Sequence, residues 1–258
     1  MNLHTSKELL QDAILATAEY LDMREIYVEK DYWVTVALYE IFHSNIAGQT
    51  VFKGGTALAK CYKLIERFSE DIDMVVLRNE GESDNQLKKK IREISKVVTK
   101  VIPEVEIDGI TNKMGNIRKT VHQYEKKFEV DFGQVREHVV VEATWLGNFE
   151  PFSEMPVSSY ITDMMRAKGQ DELIEKYNMA PFNIQVLSKL RTFCEKIMSL
   201  VRFSRSPEPI VDLRNKIRHV YDIHQMLKDG EIQQFFRSGD FDKMLVKVGQ
   251  DDMIGYKN

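Results

Sequence analysis

Two short segments constrain this chain more than any others. The first is Phe52-Lys53-Gly54-Gly55-Thr56-Ala57-Leu58 and the second is Glu70-Asp71-Ile72-Asp73-Met74-Val75-Val76. In the first, a glycine pair separates a short strand-forming run, Thr50-Val51-Phe52, from a run that reads as a helix to Ile65. Two glycines let the backbone approach another group closely. The helix start that follows offers free N–H groups and the positive end of a dipole to an anion. A plain turn with Thr56 as helix cap is the alternative reading. In the second segment, carboxylates run directly into an apolar strand. An unpaired carboxylate at the head of a buried strand is costly, so these acids need partners.

Side chains alternate faces along a strand, so Asp71 and Asp73 are expected to share one face while Ile72 turns into the core. Hard divalent cations such as Mg²⁺ are bound through one or two carboxylates plus substrate phosphates, and an Asp-x-Asp pair on a strand supplies such ligands. Asp-x-Asp alone is a common sequence. The glycine pair just upstream is what gives it meaning, because it places an anion-binding turn beside metal-binding acids. By the same parity Glu70 points away and is expected to be a bystander. The pattern GxxxxGK[ST] is absent, and Lys53 precedes the glycines, so this is not a P-loop.

The rest of the chain reads as a mixed α/β lobe over residues 1–150 followed by a helical lobe over 151–258. Amphipathic helices are expected over 5–22, 28–46 and 85–100, and strands over 104–110, 117–132 and 138–146. A Pro- and Ser-containing connection is expected over 148–159. Helices are then expected over 159–168, 170–177, 183–203, 208–228 and 231–247. No internal repeat or low-complexity segment interrupts this order.

With 258 residues, 43% hydrophobic and 29% charged, the chain has an ordinary globular composition. Its net charge of -4 excludes a generally basic nucleic-acid binder. Charge is uneven, however: residues 186–219 carry eight Lys/Arg against three acids. Such a segment either meets phosphates or forms a solvated helix face. Cys61 and Cys194 lack metal spacing and are expected to be buried free thiols. The N-terminal residues lack the apolar core of a signal peptide, and no apolar run approaches membrane-spanning length. A cytoplasmic protein is the expectation.

The segment KGGTALAKCYKLIERFSEDIDMVV resembles the signature of the polymerase-β-like nucleotidyltransferase superfamily: a glycine pair, a helix, then Asp-hydrophobic-Asp. In detail it is similar to the AbiEii/AbiGii toxin family. Glu29-Lys30-Asp31-Tyr32-Trp33, Glu195-Lys196 and Arg218-His219-Val220-Tyr221-Asp222-Ile223 also resemble motifs of that family, so the resemblance touches most of the chain.

The resemblance implies an α/β (α+β) fold, with a nucleotidyltransferase lobe built on a mixed sheet and a C-terminal helical lobe. It implies a Mg²⁺- or Mn²⁺-dependent transfer of a nucleoside monophosphate from an NTP to an acceptor hydroxyl. It further implies a toxin with a cognate antitoxin and an RNA acceptor, such as a tRNA 3′ end. Superfamily sites hold a third carboxylate on a neighbouring strand. Glu142, which interrupts the apolar run from Val139 to Trp145, is the candidate beside a solvent-facing alternative, with Asp131 as the fallback. Lys196 matches the family lysine that contacts the nucleotide. Asp222 matches a family acid that holds Lys196 or Arg218, acts as general base, or forms a structural ion pair. Gly54, Gly55, Thr56 and Ser69 are expected on the nucleotide, with Arg67 and Ser69 orienting the metal acids or touching a phosphate. The histidines are read as structural. A fold retained for binding without turnover, or transfer to a small molecule or protein, are the competing expectations.

Overall fold

The computed structural model describes residues 1–128, 135–147 and 149–255, with the backbone alone for 254 and 255. Its strands are β1 (Thr50–Lys53), β2 (Ile72–Val76), β3 (Glu104–Val105), β4 (Ile117–His122), β5 (Val139–Thr144), β6 (Phe152–Val157) and β7 (Phe182–Leu187). Its helices are α1 (Lys7–Leu21), α2 (Glu25–Phe42), α3 (Gly54–Lys60), α4 (Asp84–Thr99), α5 (Tyr160–Ala167) and α6 (Asp171–Lys176). They continue as α7 (Lys189–Phe203), α8 (Pro209–Asn215), α9 (Ile217–Met226), α10 (Gly230–Phe236) and α11 (Gly239–Gly255).

The strands form one mixed sheet in the order β3-β4-β5-β2-β1-β7-β6. β2 runs parallel to β5 and antiparallel to β1, and β1 runs parallel to β7. Strand alternation divides the two faces. Ile72, Met74 and Val76 of β2 and Val139, Val141 and Ala143 of β5 join α1, α2 and α4 in the main core. On the amphipathic helix α4, Leu87, Ile91, Ile94 and Val98 recur at helical spacing and are buried, each contributing about 1.5–3 kcal/mol. The other face carries a small cluster of Val51, Val75 and Leu187 and, beside it, charged residues. A separate apolar core joins Leu58 of α3 to Phe193, Cys194, Met226 and Phe235 of the C-terminal helices.

Three expectations need correction. Residues 152–157 form a strand rather than a connection, because β6 pairs with β7 along six positions. It lies at the sheet edge, where Pro156 is tolerated. Residues 182–187 form β7 rather than the start of a helix. α7 begins only after Ser188, whose Oγ accepts from the Leu190 N–H at 3.2 Å. The sheet therefore crosses residue 150, the boundary expected between the lobes, and the unbroken helical succession starts at Lys189. Finally, the helix expected to reach Ile65 ends at Lys60.

Candidate active site

The sheet builds the site by register. Lys53 on β1 is paired with Asp73 on β2, Asp73 with Glu142 on β5, and Glu142 with Lys119 on β4. Residues paired across neighbouring strands share a face, so these four side chains form a row on the face opposite the main core. Lys119 Nζ lies 3.1 Å from Glu142 Oε2. Burial, then the charges of Glu142 and Asp71, push the Asp73 carboxyl up to about 7, with Lys53 and Lys119 acting in the opposite direction.

The glycine pair is required at this row. Gly54 has φ +83°, and a Cβ there would lie 2.1 Å from Asp73 Oδ2. A Cβ on Gly55 would lie 2.9 Å from both Arg67 Nη2 and Ser69 Oγ. The glycines thus admit three side chains of the following segment to the head of α3. Thr56 is fully buried and does not cap the helix. Its hydroxyl lies 3.0 Å from the Ser69 hydroxyl. Neither Thr56 nor Ser69 lines the cleft described below, so the two brace the turn.

Asp71 stands just before β2, not within it. Arg136 pairs with its carboxylate and donates its backbone N–H to Glu70 Oε1 at 2.8 Å. Glu70 is buried and lies 3.3 Å from Lys30 Nζ, so it is not the expected bystander. The fully buried Lys30 also donates to the carbonyl oxygens of Arg136 and His138. Burial lowers its ammonium to about 8, against the opposing pull of Glu70. Lys30 therefore ties α2 to the approach to β5 and to the residue preceding Asp71.

The C-terminal helices close the opposite side. Asp222 on α9 is fully buried and accepts from Arg67 Nε and Nη2, each at 2.7 Å, and from Lys196 Nζ at 2.8 Å. Burial opposes ionisation of Asp222, but the bonds from Arg67 and Lys196 hold its carboxyl below the usual range. Both oxygens are committed, so the arrangement suits anchoring better than proton abstraction. Lys53 Nζ lies 2.9 Å from Glu195 Oε2. Burial opposes the Lys53 charge, but Glu195 outweighs it and the ammonium is raised.

Between these walls lies a cleft of ≈ 350 Å³ lined by residues including Gly54, Gly55, Asp73, Glu142 and Lys196. Five of the expected site residues thus meet on one cavity, while Asp222 stands behind Lys196. Lys53, Glu195, Arg202, Lys216 and His219 also line it. Sequence reasoning did not assign Lys53 or Lys216 to the site and took His219 as structural. Only strand register and the packing of α9 bring them in. Burial, then Lys196 and Lys216, lower the His219 imidazole to about 4, so it is neutral at physiological pH. Asp131 lies outside the described residues. Cys61 and Cys194 are free thiols, the second buried.

A family model described as nucleotidyl transferase AbiEii toxin, type IV TA system, matches residues 36–254. The chain belongs to the AbiEii family of nucleotidyltransferase toxins. The match covers the glycine pair, Asp71, Asp73, Lys196 and Asp222, and begins after Glu29-Lys30-Asp31. Membership makes the chain a nucleotidyltransferase of a toxin–antitoxin system, with an NTP as substrate and an antitoxin as partner. No curated protein matches. Among solved structures, the chain is similar to MenT4, a nucleotidyltransferase toxin of Mycobacterium tuberculosis H37Rv, at 13% identity and a TM-score of 0.39, covering 91% of this chain and 98% of that one. No helix among the described residues is long and apolar enough to cross a membrane.

Proposed function

We propose that this AbiEii-family chain transfers a nucleoside monophosphate from an NTP to an acceptor hydroxyl, with Mg²⁺ or Mn²⁺, and that the acceptor is RNA, such as a tRNA 3′ end. The observation that carries the reading is the cross-strand row of Lys53, Asp73, Glu142 and Lys119, whose first three members line one cleft with Lys196.

The donor set suits a hard divalent cation. Asp71, Asp73 and Glu142 offer carboxylate oxygens, and Asp73, whose proton affinity is raised by burial first and then by the charges of Glu142 and Asp71, is a carboxylate that a cation would stabilise in its ionised form. Among the described residues no group of three His, Cys, Asp or Glu side chains forms a metal cage. A cation that shares its shell with the triphosphate and water fits such a partial set. When bound, it would neutralise charge on the phosphates and align them.

The chain's own groups supply the rest. Lys196, fixed by Asp222, and Lys53, fixed by Glu195, meet phosphate charge in the cleft. Arg67, held by the same Asp222, braces Gly55. The acceptor oxygen forms a bond to Pα. The bond from Pα to the bridging oxygen breaks, and its electron pair leaves with pyrophosphate. The hydroxyl proton passes to a carboxylate of the row. The basic segment 186–219 favours a polyanionic acceptor.

The test is incubation with α-labelled NTPs, Mg²⁺ and total RNA. The parent should label RNA, whereas Asp73→Asn and Lys196→Met should not. Absence of label in RNA with the parent, or equal labelling by Asp73→Asn, would overturn the reading.

A further inference from the structure

A second cavity, of ≈ 290 Å³, lies on the far side of Arg67 and is lined by Tyr27, Arg67, Phe68, Ile217, Arg218 and Tyr221, among others. Its size approaches the lower end of small-ligand sites, about 300–1,000 Å³. It backs directly on the first cleft. Lys216 and His219 of the α9 start line the cleft, and the intervening Ile217 and Arg218 line the second cavity. Arg67 lines the second cavity, and its Nη2 would lie 2.9 Å from a Cβ on the cleft residue Gly55. The buried Asp222 holds Arg67 and Lys196 together within this partition. Glu70, immediately before Asp71, also lines the second cavity. Asp73 thus lines the first cleft and Glu70 the second, with Asp71 between them in the chain.

The walls have a definite chemistry. Tyr27 and Phe68 stack at 4.8 Å with 20° between their planes, and the Arg24 guanidinium lies 5.6 Å from the Tyr27 ring. Arg67, held by Asp222, and Arg218 stand in this wall, and the acid there, Glu70, is paired with Lys30. Aromatic platforms flanked by cations suit the bases and backbone of single-stranded nucleic acid. Ile217 at the mouth is 64% exposed, leaving apolar surface for a flat ring.

We propose that this cavity receives the terminal base of a single-stranded RNA acceptor, stacked on the Phe68–Tyr27 pair, so that its ribose hydroxyl faces Asp71 and Asp73 across Arg67. The inference rests on the nucleotidyl-transfer reading of the cleft and assigns the acceptor its own subsite.

The probe is a short single-stranded RNA carrying a 5′ fluorophore and a 3′-terminal 2-aminopurine, mixed with the full chain. 2-Aminopurine fluorescence should be quenched on binding. Phe68→Ala and Tyr27→Ala should weaken the complex by about tenfold and remove the quenching, while Phe68→Tyr retains both. Binding of a fluorescent ATP analogue should be unchanged in all three variants, which also shows that they fold. RNA affinity and quenching that are the same in Phe68→Ala, Tyr27→Ala and the parent would overturn the proposal. Label transfer read in parallel separates the two readings. Transfer with unaltered RNA binding in the variants refutes the subsite alone. Stacking on Phe68 without any transfer by the parent refutes the catalytic reading.

Discussion

Gly54 and Asp73 stand so close that a Cβ on the glycine would lie 2.1 Å from Asp73 Oδ2. The contact and the φ of +83° act together, so no L side chain suits position 54. Gly54→Ala should cost about 1–3 kcal/mol in backbone strain, a fall in Tm of roughly 2–10 °C, and should abolish transfer by displacing Asp73. Gly55→Ala meets only the ends of Arg67 and Ser69, which can move. It should melt closer to the parent yet still lose activity. Thermal melts and labelling assays on both variants check the pair.

Asp73 makes stability depend on pH. Its folded-state carboxyl is raised to about 7, above the ordinary 3.8. Between these values the unfolded chain is ionised while the folded chain holds its proton, so the contribution of Asp73 to stability is full below about 3.8 and lost as pH rises through about 7. The metal-free parent should therefore gain stability relative to Asp73→Asn as pH is lowered from 8 to 5. At pH 8 the Asn variant should melt higher, and added Mg²⁺ should narrow that gap. Melting both proteins across this range, with and without Mg²⁺, reads all three effects.

For Asp222, the distinction is between anchoring and proton transfer. As an anchor for Arg67 and Lys196, its replacement in Asp222→Asn should lower kcat at every pH without moving the acidic limb of the rate profile. Removing the charge also leaves two cations short of a partner, at a cost of about 3–5 kcal/mol. Asp222→Glu should recover part of the rate. A shift of the acidic limb in the Asn variant would identify Asp222 as the base instead.

Lys30 is buried beneath the site and reaches Glu70 and two carbonyl oxygens on the approach to β5. Lys30→Met should destabilise the fold by about 3–5 kcal/mol, because Glu70 is left buried without its cation. At temperatures where the variant is still folded, it should also bind Mg²⁺ more weakly, since Arg136 and Asp71 lose their support. Calorimetric unfolding and Mn²⁺ titration measure the two effects.

The sequence made the central site legible because its chemistry is local. Strand, glycine pair, helix and acid-headed strand lie within one continuous segment, and each has its own signature. Glu142 was legible as a lone acid in an apolar strand, and the register with Asp73 places it on the site face. Lys53 and Lys119 carried no comparable signal, because only pairing across strands puts them in the row. Strand β6 was hidden by Ser153, Glu154 and Pro156, residues suited to an edge that faces solvent. Strand β7 runs into α7 across the single residue Ser188, so its alternation merged with the helical period that follows. The buried state of Glu70 escaped the parity argument, because β2 begins only at Ile72 and the Lys30 ammonium waits beside Glu70.

The three consecutive charges on α2 fasten four separate parts of the molecule. Glu29 accepts the Lys127 N–H, Lys30 secures the 136–138 segment, and Asp31 pairs with Lys60 at the end of α3 while accepting the Tyr160 N–H at the start of α5. All three precede the span matched by the family model. A protein trimmed to that span would keep Asp71, Asp73, Glu142 and the glycine pair but lose these three anchors of the surrounding framework. The framework under this site thus begins upstream of residues 36–254, in a motif that the family model's span leaves out.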